Sequence, residues 1–337
     1  MPNQDFAELA QLESLIAQLG ERVQVETVER IAFQDREFPI YSIVLGSLEA
    51  DVPVLAFFGG VHGLEKIGSE VILSYLQTIA ELLDWDDEFN ARLERTRLVF
   101  VPIVNPVGVF RGTRSNGNGV DLMRNAPIDG SGSTKLYSGH RLSPKLPWYR
   151  GNGSQMEAEA QALCRVVEQH VFNSPLSIAL DLHSGFGIND RLWFPYASKK
   201  EPFPNIAEAY ALKSLFDRCY PNHFYKIEPM SAEYIINGDL WDYLYNSFQP
   251  SNQHGLFMPL TLEMGSWLWL RKSPLHLFQR HGLFHPLLPH RQQRILRRHF
   301  TLFDFLYRSL LSPSKWGTLK PEQCELYQQQ AMRLWYA

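Results

Sequence analysis

The sequence predicts an α/β fold of one layered domain, and three observations carry that reading. Strand and helix signals alternate along the chain. PVLAFFGGVHG (53–63) is a continuous apolar run ending in glycines and LSIALDLHSGFG (176–187) a second apolar segment ending in glycine, as expected of buried strands that stop at a loop. No Pro/Gly/Ser linker separates two composition regimes, so 1–337 is read as a single domain.

The elements follow in order. Phe6 to Leu19 has the spacing of an amphipathic helix. It lacks a basic start and an unbroken apolar core, which argues against a signal peptide. VQVETVERIAF (23–33) and FPIYSIVLGS (38–47) alternate apolar and polar residues like half-buried antiparallel strands. The buried strand PVLAFFGGVHG (53–63) precedes a helical stretch, LEKIGSEVILSYLQTIAELL (64–83), and RTRLVFVPIVNP (95–106) is the next buried strand. From Pro106 to Gly153 the chain is rich in Gly, Asn, Ser and Pro. A loop of that length usually carries function. QMEAEAQALCRVVEQHV (155–171) is helical, LSIALDLHSGFG is a buried strand, and MPLTLEMGSW (258–267) is a later strand. HRQQRILRRHFTLFDFLYRSLL (290–311) reads as one amphipathic helix within a helical C-terminal extension of about 285–337. The basic face from Arg294 to Arg298 reads as solvated.

Composition narrows the function classes. The chain is 45% hydrophobic and 20% charged, with a net charge of -4 and a pI near 6.3, which gives no footprint for nucleic acid. Cys164, Cys219 and Cys324 form no CxxC pair and are too few for a disulfide framework. No apolar run is long enough to span a bilayer. A cytoplasmic protein is expected, with no nucleic-acid or membrane partner and an oligomeric state the sequence leaves open.

VHGLE sets His62 and Glu65 just past one buried strand, and DLHSG sets His183 just past another. Ends of adjacent strands in an α/β sheet are where such folds assemble sites. Two imidazoles and a carboxylate suit tetrahedral zinc with a fourth position left for water. Either fragment alone also arises by chance or as a cap; the pair, each beside glycine, is more specific. Asp181 shares a strand face with His183. It could fix that histidine's tautomer or bond a loop backbone.

The order HxxE, NPVGVFRGTRSNGNGVDLMRN, DLHS and TLEMG resembles the zinc carboxypeptidases of the carboxypeptidase A type, from about Val54 to about Trp267. The resemblance implies a three-layer α/β/α fold around a mixed, largely eight-stranded sheet. It implies one Zn2+ per chain on His62, Glu65 and His183, with Glu263 as general base. It places Arg114 on the substrate's terminal carboxylate, a further active-site arginine at Arg124, which could stabilise the developing oxyanion or share the carboxylate, and a mobile active-site tyrosine at Tyr234. It puts the floor of the specificity pocket near Gly238 to Trp241, where Asp239 and Trp241 point to different preferences. Arg111 reads as structuring its loop. One position departs: Met123 stands where the family usually has asparagine, and methionine cannot bond a carboxylate usefully. Among family members the chain looks most like bacterial murein-peptide amidases.

The expected function is therefore a zinc metallocarboxypeptidase, cleaving an amide bond beside a free carboxylate of a peptide. The alternatives are a deacylase of small N-acyl amino acids, like aspartoacylase or succinylglutamate desuccinylase, and a catalytically silent binding module. Intact His62, Glu65, His183 and Glu263 argue against the last, and Met123 is the feature that favours it.

Overall fold

The computed structural model describes residues 6–132, 136–153, 155–252, 255–267, 284–286 and 288–337. The expected mixed sheet is present. β1 (Gln24–Phe33) pairs antiparallel with β2 (Arg36–Gly46), and β2 with β4 (Arg97–Val101). β4, β3 (Val54–Gly59), β5 (Leu176–Ser184) and β8 (Leu256–Met264) run parallel. β6 (Arg191–Phe194) lies antiparallel on β8 and carries β7 (Lys226–Pro229) parallel to itself. The strand order is β1-β2-β4-β3-β5-β8-β6-β7. β3 and β5 are buried at every position, which explains why their sequences run apolar without alternation.

Two adjacent phenylalanines show the layering. Successive strand residues point to opposite faces. Phe57 packs on Tyr75 of α2 (Lys66–Trp85) and on Phe303 of α9 (Phe300–Leu310), with ring centroids 5.5 and 5.0 Å apart. Phe58 packs on Trp241 of α7 (Leu240–Ser251) on the other face, at 5.1 Å. Helix α2 turns Ile67, Val71, Ile72, Leu76 and Ile79 inward, the spacing of one helical face. Burying each such side chain contributes about 1.5–3 kcal/mol. Helix α1 (Ala7–Leu19) docks on α2 through Leu12, Leu15 and Leu19 and through a Lys66–Glu8 ion pair at 2.7 Å.

The Pro106–Gly153 region is less irregular than expected. Pro106 opens a short helix, α4 (Pro106–Arg111), whose N-cap Asn105 accepts from Gly108 N at 2.8 Å. Proline at that position has no N–H to lose. Arg111 extends over the Phe33 ring, 5.2 Å away.

Residues 290–311 are not one helix. The chain breaks at His299 between α8 (Pro289–Arg298) and α9. His299 is fully buried, and its Nδ1 lies 2.8 Å from the Tyr225 hydroxyl; seating that ring turns the chain inward. The basic face is not wholly solvated either. Arg298 pairs with buried Asp190 and lies over the Phe224 ring. Helix α10 (Pro321–Trp335) returns to the sheet's far edge, where Trp335 packs on Phe194 and donates to the Ile227 carbonyl at 2.9 Å.

Candidate active site

Three neighbouring parallel strands, β3, β5 and β8, deliver the candidate residues at their carboxyl ends. After β3 the chain turns at Gly60, φ +65°, and Glu65 N donates to His62 O at 3.0 Å before α2 begins. Gly63 in this turn lies against α4. A Cβ there would sit 1.8 Å from the Gly108 carbonyl carbon, so only glycine fits. His183 is the penultimate residue of β5, and Glu263 stands opposite it in the β5–β8 register.

Single donor atoms of His62, Glu65 and His183 all lie within 4.8 Å of one another, and all three residues are buried. His62 Nδ1 is 3.0 Å from Glu65 Oε1, and His183 Nδ1 is 3.1 Å from Glu65 Oε2. Each Nε2 instead meets an outer carboxylate: Asp121 for His62 at 3.1 Å, Asp181 for His183 at 2.7 Å. Each Nε2 can donate to its outer carboxylate, so an Nδ1 that gives up its proton turns its lone pair toward Glu65 and the centre of the cluster. Two such nitrogens and a carboxylate fit a divalent metal of the zinc type.

The charges in this cluster are tightly linked. Burial raises Glu65, but His62 and His183 outweigh it and hold the carboxyl below its usual range. Burial lowers His183, yet Asp181 outweighs that and keeps the imidazole well above its ordinary value. Metal uptake must therefore displace a proton there. Asp121 is raised by burial and held far lower by Arg114 and Arg124.

Both arginines reach Asp121 Oδ2 at 2.9 Å, through Arg114 Nε and Arg124 Nη1. Arg114 Nη1 also donates to Glu65 Oε1 at 3.2 Å, and Arg124 Nε to the Tyr137 carbonyl at 3.1 Å. Glu263 Oε1 accepts from Phe186 N at 2.9 Å. Burial, then the negative charge of Glu65, pushes Glu263 up to about 8. Tyr234 packs against Phe186 and Trp193, and burial raises its phenol, which stays a neutral donor.

The three donors, Glu263, both arginines, Tyr234 and Met123 all line one cavity of about 730 Å³. Much of the remaining wall is apolar, from Leu64, Phe186, Trp193, Met230, Ile236 and Phe284. Asp239 and Trp241, expected on the pocket floor, do not line this cavity. Asp239 caps α7, accepting from Asp242 N at 2.8 Å, and Trp241 turns its indole to Asp181 at 2.9 Å. Sequence reasoning missed Asp121. Its one signal is its place in VDLMRN, three residues before Arg124, where a tight turn brings such side chains together.

A sheet that presents this donor set and a buried carboxylate at its strand ends has the layout of a metallohydrolase. Residues 11–267 match the zinc carboxypeptidase family, and the chain belongs to it. It is 24% identical over 246 residues to carboxypeptidase SOL1 of Arabidopsis thaliana, which covers 71% of this chain and 45% of that one. Over 155 residues it is 30% identical to the carboxypeptidase N catalytic chain of Homo sapiens, covering 40% of this chain and 31% of that one. The chain thus spans less than half the length of either relative.

Carboxypeptidase A from Helicoverpa armigera superposes with a TM-score of 0.66 at 17% identity, over 90% of this chain and 72% of that one. Bovine thrombin-activatable fibrinolysis inhibitor, solved in complex with tick carboxypeptidase inhibitor, gives 0.66 at 14% identity, over 92% and 98%. These structures share the fold of this chain.

Proposed function

We propose that the chain is a zinc-dependent hydrolase that cleaves an amide bond beside a free carboxylate. The observation that carries this is convergence: the His62–Glu65–His183 set, Glu263 and two arginines open onto one cavity. His62, Glu65 and His183 would hold the ion. When bound, zinc supplies Lewis acidity and lowers the pKa of water to about 7.

The chain's own residues do the rest. Glu263 accepts a proton from water and passes it to the leaving amine. The burial that raises Glu263 makes it a stronger base than an exposed glutamate. Arg114 and Arg124 spend Nε and Nη1 on their internal contacts, which leaves their Nη2 donors for a substrate carboxylate. Asp121 orients both. Tyr234 donates from a neutral phenol, and the apolar wall suits an uncharged substrate side chain.

Met123 supports a second reading. It lines the cavity and adds apolar surface without a hydrogen bond for a carboxylate, which suits a deacylase of N-acyl amino acids.

Matched peptides with free and amidated C-termini, run beside N-acyl amino acids, test the proposal. A hydrogen bond to a charged group contributes about 1.5–3 kcal/mol. Amidation should therefore lower kcat/KM about 10- to 150-fold. Equal rates would contradict carboxylate recognition. Turnover confined to the N-acyl amino acids would favour the deacylase, and none on any substrate would favour a binding module.

A further inference from the structure

Trp241 is the second residue of α7, with its side chain buried against Phe58. Its Nε1 donates to Asp181 Oδ2 at 2.9 Å, the oxygen that His183 Nε2 reaches at 2.7 Å. Asp181 is fully buried, and its Oδ1 has no hydrogen-bond partner among the described residues. Apart from His183 itself, the indole is the side-chain donor that orients this carboxylate.

The start of α7 is itself fixed. Ala126 N donates to the Gly238 carbonyl at 3.0 Å, and a Cβ on Gly238 would lie 2.0 Å from the Arg124 carbonyl oxygen. The indole therefore arrives from a rigid support, wedged on the loop that carries Arg124.

The two outer carboxylates sit in opposite settings. Asp121 shares its charge with two guanidinium groups, whereas Asp181 meets a neutral indole N–H. A neutral donor fixes a carboxylate's direction without cancelling its charge. Asp181 can then act at full strength on the Nε2 proton of His183, which makes the inner nitrogen a better ligand.

We propose that Trp241 is a positioning residue for the metal centre, acting on His183 through Asp181. The proposal rests on the zinc reading above. Trp241→Phe keeps an aromatic ring and removes the N–H. Partners of this kind change metal affinity about 10- to 100-fold when lost. The variant should bind zinc weaker by that factor in competition against a chelator, and the visible spectrum of its Co2+ form should shift. KM should stay near the wild-type value.

A cycle with Asp181→Asn separates positioning from mere packing. If Trp241 acts through Asp181, the double variant binds zinc no more weakly than Asp181→Asn alone. Wild-type affinity in Trp241→Phe, or losses that multiply in the double variant, overturn the proposal. Should Trp241→Phe fail to fold, the wild-type protein with ¹⁵N-labelled tryptophan answers the question. The indole signal assigned to Trp241, one of eight tryptophans, should be protected from exchange and should shift on saturation with zinc, and no shift in that signal overturns the proposal. A wild-type protein that takes up no metal overturns the zinc reading and this proposal with it. Normal zinc uptake with an unaffected Trp241→Phe variant sinks this proposal alone.

Discussion

At the scale of single residues, the proposed function rests on Glu263 as the group that takes the proton. Glu263→Gln keeps the shape of the side chain and its place opposite His183 but has no basic carboxylate. It should retain metal and lose about 10²–10⁴-fold in kcat. The wild type should gain activity as pH rises, because the base works only when deprotonated. That limb belongs between the ordinary 4.5 of a glutamate and about 8, since burial and Glu65 raise Glu263 and a bound cation offsets Glu65. Activity within a few-fold of wild type, with the same acid limb, would show that another group takes the proton. The three candidate ligands were legible in the sequence because glycine-flanked strand ends announce where side chains emerge. Trp241 and Asp239 were not. On a helix each residue turns about 100° from the last, so a motif places the first turn of α7 without saying which side chain faces the cavity. Asp121 needed the Arg114 and Arg124 contacts to reveal it.

At the scale of elements, the interface between α2 and α8 gives a test tied to pH. Glu70 of α2 accepts from Gln292 of α8 at 2.8 Å, and burial raises its carboxyl to about 6. The fold thus holds a proton that the unfolded chain releases near 4.5. Stability contributed here is present at low pH and lost as pH climbs from about 4.5 through about 6. That shift corresponds to a penalty of about 2 kcal/mol at higher pH. Glu70→Gln should recover up to that amount at pH 8 and change little at pH 4, as read by denaturant unfolding. Equal effects at both pH values would contradict the account. Long elements such as α2 and β5 were legible because their apolar period extends over many residues. β6 and β7 have four residues each, too few for a period to register. The break at His299 was hidden because α8 and α9 each keep helical spacing up to the buried imidazole.

At the scale of the whole molecule, the sheet gathers chemistry from distant parts of the chain. Its fold class followed from runs such as VLAFFG, whose burial on both faces demands helices above and below. Its strand order did not, because β4 precedes β3 and β8 enters between β5 and β6. Those pairings are long-range and leave no local mark. The helices α8, α9 and α10 lie beyond the matched stretch of 11–267, yet Phe303 packs on β3 and Trp335 closes the far edge. The central claim is that His62, Glu65 and His183 form a zinc centre. Metal analysis of the purified wild type beside His183→Ala tests it most directly, with circular dichroism to confirm that both are folded. The account predicts one equivalent of zinc per wild-type chain and a folded variant that has lost it; stoichiometric zinc persisting in His183→Ala would contradict it.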